Sequence, residues 1–264
     1  HGIGRRQRQM CIRDRLIIHC FSIDQIKAFA SWSSEAQVAA DKFWPGPLTM
    51  VLPLLPESNI SSLALAGLQT VAVRIPEHPI AQKILKLSNT PLAAPSANPS
   101  GTVSATKAEH VISRLSGKIE GIISGKASKI GLESTIISLL NEASILRYGA
   151  IEAAEISDVL GINLKKPEQD EKISAPGQLS SHYAPRGSIR LNSKTIKENE
   201  VHLGFGEVDS DLNLSKTENL IEAAANLFDF LHNLDEMGAE KIAVSPIPEE
   251  GIGIAINDLS LIHI

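Results

Sequence analysis

Cysteine, aromatic side chains and long apolar runs are all scarce in this 264-residue chain, and each shortage closes off a class of protein. Two cysteines, Cys11 and Cys20, cannot build a disulfide framework or a four-ligand zinc site. Aromatic residues at 4% argue against a surface that works by stacking bases. No apolar run nears the roughly 18 residues of a membrane-spanning helix. The chain has no H-E-x-x-H motif, no Gly-Lys-Ser/Thr phosphate loop and no Ser–His–Asp order to suggest a protein nucleophile. What it does have is ordinary for a globular protein: 43% hydrophobic and 21% charged residues, in a length that suits one large domain or two.

The charge is unevenly spread. Residues 1–15 hold five arginines against one aspartate, a net of +4, so the other 249 residues carry 20 basic and 29 acidic groups, a net of −9. Such a basic arm on an acidic body suggests a nucleic-acid tail. The arm lacks the apolar stretch of a signal peptide, and its RQRQMCIRDR run resembles a translated sequencing adapter. The expectation is therefore that residues 1–15, and the tail 259–264 with its SLIHI, are foreign to the protein and stand outside the fold.

Between them the pattern is mixed α/β. Leu16–Cys20, Met50–Leu55, Thr70–Ile75, Gly121–Ser124, Ser134–Leu140 and Ser144–Leu146 read as strands. Helical pieces are expected over 22–40, 78–87 and 105–115. Residues 16–162 thus form one domain, 163–187 a linker, and 188–258 a second domain. In the second domain, strands at 188–191, 201–205 and 241–246 surround a helix at 219–234, a β-α-β layout of the parallel kind.

Several polar groups stand out. Arg74 ends an apolar strand (TVAVRI), where an unpaired charge is costly, so it either closes a salt bridge or grips an anionic ligand. Arg147, Ser134 and Thr135 raise the same question at other strand ends. His19 in LIIHC is either a satisfied core histidine or a ligand group. The loop Ser96–Ser104 follows a strand and precedes a helix; its hydroxyls and N–H groups suit phosphate oxygens or a set of Asx and Ser/Thr turns. Phe43–Thr49 (FWPGPLT) reads as a rigid architectural turn in which Gly46 takes a conformation closed to other residues. His182-Tyr183 is unusual in a linker.

Taken in order, LIIH, KFWPGPLT, TVAVRIP, APSANPSG, GLESTII, ILRYGAI, PGQLSSHYAP and GIGIAIND resemble the YrdC-domain family in its long two-domain form. The resemblance spans about 16–258. It implies a YrdC-like twisted mixed sheet with flanking helices, plus a smaller C-terminal α/β Rossmann-like domain. It also implies a cytoplasmic nucleotidyltransferase that joins L-threonine, bicarbonate and ATP, with Mg²⁺ on the phosphates, into threonylcarbamoyl-adenylate and pyrophosphate. The product would serve N6-threonylcarbamoyladenosine in tRNA through a separate transferase complex, with no membrane involved. By the same resemblance, His19, Arg74, the Ala94 backbone and Ser134 contact threonine, and Thr70, Ser96, Ser104 and Arg147 contact ATP. His182 and Tyr183 belong to a lid, no residue acts as nucleophile, and no protein metal site is implied. The family's P-T-E-T-V-Y-G-L-G and K-x-R-P segments have no counterpart here, which leads to the expectation that the chain as it stands is inactive. Two other readings are a double-stranded RNA-binding module of the same fold and a carbamoyl-adenylate-forming relative.

Overall fold

The fold was taken from a computed structural model, which describes residues 15–99, 101–125, 130–166 and 185–261. The chain begins with β1 (Ile17–His19), α1 (Ile23–Lys27), α2 (Ser34–Phe43) and β2 (Leu48–Pro53). It continues through β3 (Thr70–Arg74), α3 (Pro79–Ser88), β4 (Leu92–Ala93) and α4 (Ala108–Leu115). Next come β5 (Thr135–Ser138), β6 (Ser144–Arg147), α5 (Ala153–Leu160), β7 (Ser188–Arg190) and β8 (Val201–Gly204). The last elements are β9 (Leu212–Asn213), α6 (Leu220–Glu236), β10 (Lys241–Val244) and α7 (Ile252–Leu261).

The chain divides into two compact units that do not follow chain order. His1–Pro95 joins Glu133–Gln178, and Ser96–Leu132 joins Leu179–Ile264. By sequence, 96–132 falls within the first domain; by compactness it groups with the second unit.

The first unit is built on a mixed six-stranded sheet ordered β4-β1-β3-β2-β5-β6. Strand alternation gives the sheet two different faces. Ile18, Met50, Leu52, Val71, Val73, Ile137 and Ile145 pack on one side against Ile26 of α1, Ala36, Ala39 and Ala40 of α2, and Ile156 of α5. The opposite face carries only a small apolar group: Val51, Ala72, Ile136 and Leu146, with Ile17 beside them. The helices on the first face start where their sequences say they should. Ser22 accepts from Gln25 N–H and Ser33 from Ala36 N–H, caps that each contribute about 1 kcal/mol.

The second unit carries a parallel sheet ordered β7-β10-β8-β9. Asn219 caps α6 through Ile221 and Glu222 N–H, and the helix buries Ala223, Ala224, Leu227, Phe228 and Leu231. This is the parallel β-α-β arrangement expected for the C-terminal half. Among the described residues no helix is long and apolar enough to cross a membrane.

The structure departs from the sequence reading in five respects. Arg15 and Leu259, expected to stand outside the fold, are both buried, Arg15 on Thr70 and Leu259 in the core around α6. Residues 121–125 form no strand, and Ile123 is 67% exposed; among the described residues no strand pairs with this short run, which holds only two isoleucines between Gly121 and Ser124. Helix α4 begins at Ala108 rather than 105: Lys107 is extended and stands as its N-cap, and the Thr106 N–H before it is taken by the His110 ring. Helices α5 and α7 and the two-residue β9 were not foreseen. Gly46 does not adopt the left-handed backbone expected of it. It is needed for close approach: a Cβ there would lie 2.2 Å from the Phe43 carbonyl oxygen. Gly46→Ala is therefore expected to lower stability by about 1–3 kcal/mol, read as a shift in urea midpoint at unchanged slope.

Candidate functional site

One end of the six-stranded sheet gathers most of the polar groups singled out above. His19 and Arg74 close the parallel strands β1 and β3 and are register partners. Strand β2 runs antiparallel to β3 and β5 runs parallel to β2, so Thr49 and Ser134 start at the same end. Strand β6 returns antiparallel to β5 and finishes there at Arg147. Period-two alternation puts His19, Thr49 and Arg74 on the face of Ile17, Val51 and Ala72, away from the helix-covered core. Register between β5 and β6 shifts at Ile136/Ile137, so that Ile136 faces Arg147 and Ile137 faces Ile145. This bulge turns Arg147 toward Ser134.

His19 and Arg74 form a neutral–cationic pair. His19 Nδ1 lies 3.1 Å from the Ile17 carbonyl, which can only accept, so Nδ1 carries the proton and Nε2 keeps its lone pair. Burial, together with the charge of Arg74, lowers the ring's pKa to about 4. Arg74 donates Nε–H to the Gly46 carbonyl at 2.9 Å, and among the described residues nothing takes its terminal Nη hydrogens. Its own pKa is lowered first by burial and also by Arg147, while Glu133 pulls it back. A half-buried guanidinium of this kind, with a hydrogen-bond acceptor beside it, suits a carboxylate next to a donor group.

Ser134 is held from three directions. Thr49 Oγ1 lies 2.8 Å from its hydroxyl, and Arg147 Nη2 donates to the same hydroxyl at 3.0 Å. Arg147 Nε and Nη2 both donate to the Ser134 carbonyl, at 3.1 and 2.9 Å. The Glu133 carboxylate stands 3.6 Å from Arg147 Nη2. Thr49, Ser134 and Arg147 are all buried. With His19 neutral, two arginines face one glutamate, so this sheet end carries net positive charge. Among the described residues no three His, Cys, Asp or Glu side chains are grouped as a metal site would require.

The other sequence-derived candidates lie elsewhere. Thr70 begins β3 and so stands about 13 Å from Arg74, at the opposite end of the strand. Its hydroxyl accepts from Arg15 at 2.7 Å; Arg15 is buried, and burial lowers its pKa to about 10. The Ala94 N–H is spent on the Ile17 carbonyl at 3.2 Å. Ser96 and Ser104 belong to the second unit: Ser96 is exposed, and the Ser104 carbonyl accepts from His232 at 3.0 Å. Within that loop the side chains bond to carbonyls and do not form the expected Asx and Ser/Thr turns, and Asn98 Oδ1 is buried without a partner among the described residues. Asn98 Nδ2 donates to the Pro99 and Thr102 carbonyls, and Thr102 Oγ1 donates to Pro99. His182 and Tyr183 lie outside the described residues.

Three contributors were not singled out from sequence: the Gly46 carbonyl, the Thr49 hydroxyl and the Glu133 carboxylate. Thr49 closes the FWPGPLT string, which had been read as purely architectural. A hydroxyl at the start of an otherwise apolar buried strand was the signal available.

Comparison with known proteins fits this geometry. The Sua5–YciO–YrdC family profile, described as "Telomere recombination", matches residues 5–149. A second profile, "Threonylcarbamoyl-AMP synthase, C-terminal domain", matches residues 151–259. The chain is 36% identical to the threonylcarbamoyl-AMP synthase of Bacillus subtilis, over 91% of this chain and 76% of that protein. It is 37% identical to the enzyme of the same name from Pyrococcus abyssi, over 91% of this chain and 77% of that one. The crystal structure of P. abyssi Sua5 complexed with L-threonine superimposes with a TM-score of 0.84 at 33% identity, covering 98% of this chain and 84% of that one. A variant of that protein with an adjacent histidine and tyrosine changed to alanine superimposes with a TM-score of 0.83.

Two outcomes are expected from the geometry. In NMR titration the His19 ring should protonate near pH 4, and Arg74→Gln should raise that midpoint part of the way toward 6.5, since burial is the larger cause. The depressed value means that His19 adds stability in full above 6.5, and that this is lost as pH falls toward 4. Thr49→Val should cost about 1–2 kcal/mol in chemical denaturation, because it removes one of the groups holding the Ser134 hydroxyl.

Proposed function

The chain belongs to the Sua5–YciO–YrdC family, in the form that carries the threonylcarbamoyl-AMP synthase C-terminal domain, and from that premise we propose how its residues serve the reaction. The activity is that of a nucleotidyltransferase making L-threonylcarbamoyl-adenylate for the N6-threonylcarbamoyladenosine of tRNA. The observation that carries the residue assignment is the His19–Arg74 pair at the sheet end. Arg74 takes the threonine carboxylate on its Nη groups, and the lone pair on His19 Nε2 accepts from the amino or hydroxyl group. Ser134, fixed by Thr49 and Arg147, offers a hydroxyl to the same ligand, and the Ala94 backbone is assigned to threonine by its motif alone.

ATP enters as its Mg²⁺ complex. Ser96, Ser104 and Thr70 are assigned to it by their motifs, and Arg147 adds positive charge from behind Ser134. The threonine nitrogen adds to the carbon of bicarbonate with loss of water, giving a carbamate. A carbamate oxygen then attacks the α-phosphorus in line; the bond to the β-phosphate oxygen breaks and pyrophosphate leaves. Positioning and charge neutralisation carry this sequence without a covalent protein intermediate. His182 and Tyr183 are assigned to shielding the labile product from water. The reading places the protein in the cytoplasm, supplying a separate complex that transfers the threonylcarbamoyl group to tRNA.

The test is pyrophosphate release from ATP, to occur only when both L-threonine and bicarbonate are present; release would overturn the expectation that the chain as it stands is inactive, and without release isothermal titration of L-threonine reports on the same site. Arg74→Ala should raise the threonine KM roughly 100-fold, with Arg74→Lys recovering only part of it, because a point charge does not replace a bidentate fork. Release supported by carbamoyl phosphate in place of threonine and bicarbonate, or a salt-sensitive complex with duplex RNA without turnover, would overturn the reading.

A further inference from the structure

The C-terminal sequence holds the segment 96–132 at both of its ends. At one end, Val103 is fully buried in the cluster that contains Leu227, Phe228 and Leu231 of α6. The neighbouring Ser104 carbonyl accepts from Nε2–H of buried His232 at 3.0 Å. At the other end, Gly131 comes so close to α6 that a Cβ on it would lie 2.3 Å from the Ala224 carbonyl oxygen. Between these anchors α4 lies along α6. Lys107 pairs with Asp229 at 2.6 Å and Arg114 with Asp235 at 3.0 Å. The His110 ring stacks on His232 with centroids 3.8 Å apart.

The partners of the two rings fix where their protons sit. His110 Nδ1 accepts from the Thr106 N–H at 3.3 Å, so its proton is on Nε2, 3.5 Å from Asp229 Oδ1. His232 Nδ1 faces Arg114 Nη2 at 3.5 Å, and a guanidinium can only donate. Its proton is therefore on Nε2, where it reaches Ser104. A second proton on either ring would enter at Nδ1, against a donor.

We propose that His232 is a positioning residue for ATP. It acts through the Ser104 carbonyl, holding the end of the loop that carries Ser104. The proposal rests on the assignment of Ser96 and Ser104 to ATP made above.

The groups facing the stacked rings are Lys107, Thr106 and Arg114 from the α4 side and Asp229, Asp235 and Glu236 from α6. Burial lowers both rings from the ordinary 6.5; for His232 the hydrogen bond to Ser104 pulls the other way, and Arg114 lowers the ring again against Asp235 and Asp229. A second proton on His232 would leave its Nε2–H in place, so the hydrogen bond to Ser104 is kept in either form of the ring.

The experiment compares the full chain with His232→Ala and His232→Gln. Glutamine keeps a donor near Nε2 and cannot take up a proton. At pH 7.5, His232→Ala should raise the ATP KM about tenfold, with threonine KM and kcat within twofold, and His232→Gln should restore most of the loss. Amide hydrogen exchange over 101–107 should quicken in His232→Ala and less in His232→Gln. An unchanged ATP KM with unchanged exchange overturns the proposal, as does an equal rise in both KM values. If His232→Ala does not fold, His232→Asn, whose shorter amide does not reach Ser104, takes its place and is judged by the same ATP KM and exchange readouts. If the unmodified chain forms no adenylate, exchange over 101–107 alone decides the role of His232.

Discussion

The carbonyl of Gly46 is the point on which the sheet end depends. It accepts from Arg74 Nε at 2.9 Å, while the Gly46 N–H donates to the Ile75 carbonyl at 2.9 Å. The Pro-Gly-Pro turn therefore clasps the end of β3 through both backbone groups of one residue. The turn is braced in its own right, because Trp44 Nε1 donates to the Leu48 carbonyl at 2.8 Å and the Trp44 ring lies against Trp32. Orienting Arg74 through Nε leaves the paired Nη edge for a ligand, the geometry in which a guanidinium recognises a carboxylate. Three residues after Gly46 the same turn delivers Thr49 to Ser134. One short loop thus orients both a cation and a hydroxyl.

Much of this was legible locally, and the rest was not for a definable reason. Strands with continuous apolar runs, such as 48–53 and 70–74, declare themselves, and a polar residue ending such a run is conspicuous; His19 and Arg74 were found that way. What the chain does not display locally is pairing across long separations. Thr49 and Ser134 are 85 positions apart, and only the parallel register of β2 with β5 brings them together. The bulge that aims Arg147 is likewise a property of two strands together. Run 121–124 shows the opposite error: it has the composition of a strand and no strand beside it.

The segment 96–132 gives the same lesson at the level of whole units. Its chain position between β4 and β5 suggests membership of the first sheet's unit, yet its contacts are with α6. The determinants are single polar residues within helices: His110 on α4 and His232 on α6, which meet ring to ring, and Arg114, which reaches Asp235. A helical stripe read for hydrophobicity registers Leu227 and Leu231 and passes over the histidine between Leu231 and Leu234. Burying such a group is tolerable only with its hydrogen bonds satisfied, and both rings of the stack meet that condition.

The charge of the site follows a different logic from that of the chain. A body with net charge −9 outside residues 1–15 does not attract anions at long range, and at physiological salt its field decays within about 8 Å. Charges that are partly removed from water act more strongly, since Coulomb terms there are several times larger. Arg74 and Arg147 are such charges; burial disfavours the charged form of Arg74, and Glu133 favours it by more than Arg147 opposes it. His19 completes this balance by staying uncharged: a third cation at this end would add to the repulsion, and burial together with Arg74 keeps the ring neutral down to about pH 4.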